Sequence, residues 1–205
     1  KLAARFDFRA SNTNEGFADL LADEADVVMA LREVRREERI NAREAGLGDL
    51  TGANRSRVLA LDAMIPVVAQ TNPVDAISLA ALAEVLSGQA ESWSALGGPD
   101  APVVLHLRNA TSGLSQGIED RLLRPSGLVL GGEIKRHRGN AELSEAVARD
   151  PLGIGMASYS EIGNTKPLRL TGSCGFELRG HRASIKTEDY PLTAPMFLYL
   201  PARRL

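Results

Sequence analysis

Twice along this chain a short apolar stretch runs into a cluster of hydroxyl and amide side chains that can open a helix. The first cluster is Ser11-Asn12-Thr13-Asn14, reached from a strand expected near Ala4–Phe8 and followed by Phe17, Leu20, Leu21 and Ala25 on one helical face. The second is Thr111-Ser112-Gly113-Leu114-Ser115, which follows a strand at Val103–Leu107 and precedes a helix bearing Ile118, Leu122 and Leu123. A strand that delivers its end to a helix start is the repeating unit of α/β proteins. The chain is therefore expected to form sheets covered by helices.

The remaining elements alternate in the same way. Asn12 with Glu15 three residues on has the pattern of a capping box, and Ser78 is placed to cap a helix carrying Leu79, Leu82, Val85 and Leu86 that stops at Gly88. Asp26–Ala30 reads as a buried strand, Glu33–Ala45 as a charged helix closed by Gly46, and Arg57–Ala69 as two strands bent near Pro66. Asn140 or Ser144 begins a helix that ends near Asp150-Pro151, and strands are expected at Gly153–Ala157, Leu168–Thr171 and Met196–Leu200. Turn signals at Thr71-Asn72-Pro73 and Thr165–Pro167 mark two linkers. They suggest that residues 73–165 form a lobe inserted into a discontinuous one made of 1–72 and 166–205.

Charge and composition narrow the chemistry. Twenty-four basic against 26 acidic residues, a formal charge of −2, leave no basic stripe for nucleic acid. The single Cys174 rules out an internal disulfide, and no apolar run approaches the length of a membrane span. His106, His137 and His181 are dispersed, and Trp93 suits a core; no metal or cofactor is expected. Gly113-Leu114-Ser115-Gln116-Gly117 matches the G-x-S-x-G pattern, with Asp150 or Glu161 and His181 in the order a hydrolase needs. About seven residues separate Leu107 from Ser115, too many for a sharp nucleophile elbow, so a catalytic serine is not expected. What the two polar turns do share is a helix start, whose unpaired N–H groups and dipole favour an anion. Arg108 beside the second turn adds a rigid cationic fork.

The order of motifs resembles the phosphate-type substrate-binding proteins of ABC transporters. Ser11–Gly16 with Phe17-Ala18-Asp19-Leu20-Leu21 and Ala25-Asp26-Val27-Val28-Met29-Ala30 is similar to that family's serine-rich turn, helix and strand. Thr71-Asn72-Pro73-Val74 is similar to its crossover, and Leu86-Ser87-Gly88, Trp93 and Leu96-Gly97-Gly98 to a more specific stretch after it. Arg108–Gly113 falls where the family has R..GSGT, while Gly153-Ile154-Gly155 and Tyr190-Pro191-Leu192 with Phe197-Leu198-Tyr199 resemble its later segments.

The resemblance implies a two-lobed type II periplasmic binding protein with mixed sheets and two crossovers. It implies an extracytoplasmic monomer that binds phosphate or a similar oxyanion for an ABC permease. The ligand set it implies is Ser11, Asn12 and Thr13 from the first lobe and Arg108, Thr111, Ser112, Gly113 and Ser115 from the second, with Arg32 adding charge. Three departures imply weaker or less selective binding: Leu114 replaces a threonine, Thr111 a glycine, and Ala30-Leu31 a serine–aspartate pair. The family's length also implies a strand before Lys1 and a helix after Leu205. These departures suit a second reading, a sensor or interaction module of a larger envelope protein.

Overall fold

The computed structural model describes residues 6–9, 11–172 and 175–202. Helix α1 (Thr13–Leu21) starts at Asn12, whose side chain accepts the Glu15 amide, and leads to strand β1 (Val28–Ala30). Helix α2 (Arg36–Glu44) begins later than expected, because the Glu38 carboxylate turns back to accept the Arg35 amide at 2.7 Å. Strand β2 (Ser56–Val68) is followed by β3 (Ala76–Ser78) and by α3 (Leu79–Leu86), which Ser78 caps and Gly88 terminates at φ 75°. Then come β4 (Val104–Arg108), α4 (Gly113–Ile118), β5 (Ile134–His137) and α5 (Asn140–Arg149). A wider turn at Glu119–Leu123 continues α4. The chain finishes with β6 (Gly153–Ser158), β7 (Lys166–Pro167), β8 (Arg169–Thr171), β9 (Glu177–Leu178), α6 (Arg182–Lys186) and β10 (Thr193–Tyr199).

The main sheet runs β1-β10-β2-β6-β4-β5, with β7 also on β2, and β3-β8-β9 form a separate sheet. Pairing is antiparallel from β1 to β6 and parallel where β4 joins β5 and β6, so the sheet is mixed. Its organising element is β2. Two strands were expected there, but one continuous 13-residue strand pairs with β10 over its first half and with β6 over its second. Pro66 does not interrupt it. Its carbonyl accepts the Leu168 amide at 2.8 Å, so the missing N–H falls in the gap between the β10 and β7 ladders.

Two hydrophobic cores form, and the larger takes in the second half of this strand. The smaller gathers Phe17, Leu20, Val28, Ala30, Val34, Ala42, Leu47, Leu50 and Tyr199. The larger includes Ala63, Met64, Leu82, Trp93, Leu107, Ile118, Leu143 and Ile154. It also takes in Leu168, Leu170, Ile185, Tyr190 and Leu192. Strand β8 lies parallel to β3, and β7 lies on β2. Strands β3, β5 and β9 and helix α6 were not anticipated. The strand expected at Ala4–Phe8 falls partly outside the described residues, and residues 6–9 are not in a strand.

Tyr199 fastens the smaller core. Its ring lies 5.2 Å from Phe17, and its buried hydroxyl accepts the Val34 amide at 2.9 Å. Tyr199→Phe is expected to cost about 1–3 kcal/mol in urea unfolding, because it leaves that buried N–H without a partner. No helix among the described residues is long and apolar enough to cross a membrane.

Candidate functional site

The starts of α1 and α4 meet between the two cores. A Cβ placed on Gly113 would lie 2.6 Å from the Thr13 hydroxyl and 2.9 Å from the Leu31 Cβ, so glycine is what lets the helices approach. Thr13 and Ser112 are both buried at this contact. The Ser112 hydroxyl accepts the Ser115 amide at 3.2 Å, and the Asn12 side chain does the same for Glu15 at 3.0 Å. Each cap therefore satisfies one first-turn amide. The first two amides of each helix, those of Thr13 and Asn14 and of Gly113 and Leu114, precede any intrahelical partner and remain as donors.

Arg108 ends β4 beside α4. One of its terminal amines donates to the Asn140 side chain at the start of α5, while its Nε is buried with no partner among the described residues. Burial pulls the guanidinium below the usual arginine range, and the Glu161 and Glu142 carboxylates oppose that. A partly desolvated cation with a free donor is suited to a negative oxygen. Thr111 is exposed, with its carbonyl taken by Gln116 Nε2 at 3.4 Å. Ser11 is exposed as well, and its hydroxyl points to the Asn12 carbonyl at 3.4 Å.

Two residues leave the candidate ligand set. Arg32 was expected to add positive charge, yet all five of its N–H donors are taken. Its Nε donates to Gln116 at 2.7 Å, and its terminal amines donate to Glu38 at 2.6 and 2.9 Å, to Asn14 at 2.6 Å and to the Glu33 carbonyl at 2.9 Å. Its guanidinium also lies over the Phe17 ring at 5.3 Å. Arg32 is a neutralised clasp between the smaller core and α4. Ser115 is fully buried and donates its hydroxyl to the Arg108 carbonyl at 2.9 Å, so its one hydroxyl proton is engaged within the protein. The remaining hydrolase partners are also engaged elsewhere: His181 with Ser184 at 2.6 Å and Asp150 with His106 at 3.0 Å.

Asn140, Gln116, Asn14 and Glu38 were not foreseen as parts of this region. Asn140 could be read as a helix start, but its contact with Arg108 depends on β4 pairing with β5. No group of three or more His, Cys, Asp or Glu among the described residues is arranged to hold a metal. Two surface grooves, one lined by Asp75, Lys166, Arg169 and Arg179 and one by Ser144, Glu145 and Glu161, share no residue with the helix starts.

Two hydrophobic cores joined by one mixed sheet, with two capped helix starts in contact, are the frame of a two-lobed α/β domain. The chain belongs to the PBP superfamily: the family profile described as PBP superfamily domain matches residues 3–202. It is similar to the protein SphX of Synechococcus elongatus, with 26% identity over 201 residues, 93% of this chain and 58% of that protein. It is also similar to the phosphate-binding protein PstS of Borreliella burgdorferi, with 27% identity over 139 residues, 62% of this chain and 46% of that one. The chain thus spans about half the length of these two relatives.

Among solved structures it resembles a putative phosphate ABC transporter substrate-binding protein with bound phosphate from Clostridium perfringens. That likeness has a TM-score of 0.76 at 20% identity and covers 95% of this chain and 73% of the other. An ABC-type phosphate transport receptor from Vibrio cholerae gives a TM-score of 0.72 at 20% identity, covering 94% and 74%. The fold is that of a type II periplasmic binding protein, as the order of motifs implied.

Proposed function

We propose that this domain binds an inorganic oxyanion, phosphate first, between the starts of α1 and α4. In this reading it acts as the extracytoplasmic, monomeric solute-binding part of an ABC-type uptake system. The observation that carries the reading is the buried Nε of Arg108, unpartnered among the described residues, at the end of the strand that leads into α4. Thr13 and Ser112 supply hydroxyls to the same junction, and Ser11, Asn12 and Thr111 form its rim. The names of the relatives support phosphate as the ligand. Leu31, not a carboxylate, packs against Gly113, so nothing there rewards a proton-bearing oxygen. Sulfate is accordingly expected to bind within about tenfold of phosphate. No observation favours an interaction module of a larger envelope protein over this reading.

Calorimetry with phosphate, sulfate and molybdate tests it. Arg108→Ala is expected to weaken binding roughly 10- to 100-fold, the loss of one charge-assisted hydrogen bond. Absence of heat with every oxyanion, or an unaffected Arg108→Ala variant, contradicts the proposal.

A further inference from the structure

Four of the five hydrogen bonds donated by Arg32 stay within the segment from α1 to α2, on Asn14, Glu33 and Glu38. The fifth leaves it. Arg32 Nε donates across to Gln116 Oε1 on α4 at 2.7 Å, between residues 84 positions apart. Arg32 is 4% and Gln116 6% exposed, so this crossing bond is made out of water, where a charge-assisted hydrogen bond is strongest. Because arginine only donates, Gln116 must face it with its oxygen, and the Gln116 amine turns back to the Thr111 carbonyl at 3.4 Å.

A second ion pair spans the same gap, Arg35 with Asp120, but at 3.8 Å and with side chains 45% and 29% exposed it is screened and weak. The far end of α4 is held to the sheet instead. Arg121, in the wide turn that continues α4, donates to the Thr193 carbonyl. Thr193 is the register partner of Ala63, where β2 passes from the β10 ladder to the β6 ladder. Between the two ends, a Cβ on Gly117 would lie 3.3 Å from Met64 Sδ, so α4 rests closely on β2 there. The element is thus tied at its end to the handover in β2 and near its start to Arg32.

We propose that α4 is a lever pivoting at Arg121 and that Gln116 is its latch, a positioning residue whose bond from Arg32 holds the starts of α4 and α1 together. The same guanidinium donates to Asn14 in the first turn of α1 at 2.6 Å, so one cation sets the spacing of both helix starts. Gln116 touches no ligand in this scheme. It governs affinity through the fraction of molecules in which the two starts are together, since only that fraction offers both to one anion. The effect on affinity rests on reading the two helix starts as the oxyanion site; the latch itself does not.

Double electron–electron resonance on the protein without added anion tests the latch. Spin labels go on the exposed positions Glu44→Cys at the end of α2 and Arg149→Cys at the end of α5, in a Cys174→Ser background. The protein with Gln116 intact should give one short distance. Gln116→Met keeps the length of the side chain and removes the acceptor. It should add a longer population and lower the short-to-long ratio roughly 10- to 100-fold, the factor for one hydrogen bond to a charged group. Gln116→Ala, which lets water reach Arg32 Nε, should do the same and stands in if the methionine variant does not fold. Gln116→Glu keeps an acceptor and should hold the short distance. Distances that stay short in both Gln116→Met and Gln116→Ala, or a Gln116→Glu protein that opens as they do, overturn the proposal. In the opened variants sulfate should restore the short distance, and calorimetry should show its affinity lowered by the factor by which the short population falls. Unchanged affinity in a variant that has opened contradicts the proposed site and not the latch. A domain that binds neither phosphate nor sulfate contradicts the proposed function, while the distances still decide the latch.

Discussion

Replacement of Gly113 by alanine is expected to lower oxyanion affinity roughly 100-fold, because it adds up to about 3 kcal/mol of overpacking strain where the two helix starts touch. The added methyl would sit 2.6 Å from the Thr13 hydroxyl and 2.9 Å from the Leu31 Cβ. Neither neighbour can yield cheaply: Thr13 is buried at a helix start, and Leu31 is followed directly by Arg32 with all its donors bound. The strain is relieved by separating the helix starts, which moves the amides of Gly113 and Leu114 away from those of α1. Titration calorimetry reads the affinity, and small-angle X-ray scattering should show a larger radius of gyration. A Gly113→Ala protein that binds phosphate like wild type would mean that the two helix starts do not share the ligand.

The second large effect concerns stability. Arg32→Met is expected to cost about 3–5 kcal/mol in urea unfolding, the range for removing one partner of a buried ion pair. Glu38 would lose a bidentate partner, and the buried Gln116 amide and the Asn14 carbonyl would lose their donors. Arg32→Lys should recover little, since an ammonium cannot reproduce a planar fork that reaches five acceptor contacts. A loss below about 1 kcal/mol would show that the clasp is as weak as a solvated surface pair.

What could be read from the sequence was local. Asn12 and Ser78 were legible because an N-cap needs only a short polar side chain just before an apolar helical face, and both accept a first-turn amide. Trp93 was readable as core because of its size; it is fully buried, with its indole N–H on the Leu152 carbonyl at 2.9 Å. Strand β5 was hidden because Ile134-Lys135-Arg136-His137 lies at the sheet edge and lacks an alternating apolar face. The misplaced roles share another cause. Arg32 and Ser115 have suitable chemistry at suitable positions, but their donors are consumed by Glu38 and the Arg108 carbonyl, partners that only the folded chain brings near. The His106–His137 contact spans 31 positions, so dispersed histidines gave no hint of it.

The passage of β2 from the β10 ladder to the β6 ladder has a mechanical consequence. Force that pulls the lobes apart along this strand would load the β2–β10 and β2–β6 ladders lengthwise, so many hydrogen bonds would have to fail together. Opening is therefore better accommodated by torsion of the ribbon near Asp62 and Ala63, where one ladder hands over to the other, than by extension. Cutting the chain at that handover would expose two unsatisfied strand ends, each a template for aggregation. The lobes are separable in ligand chemistry but not as polypeptides.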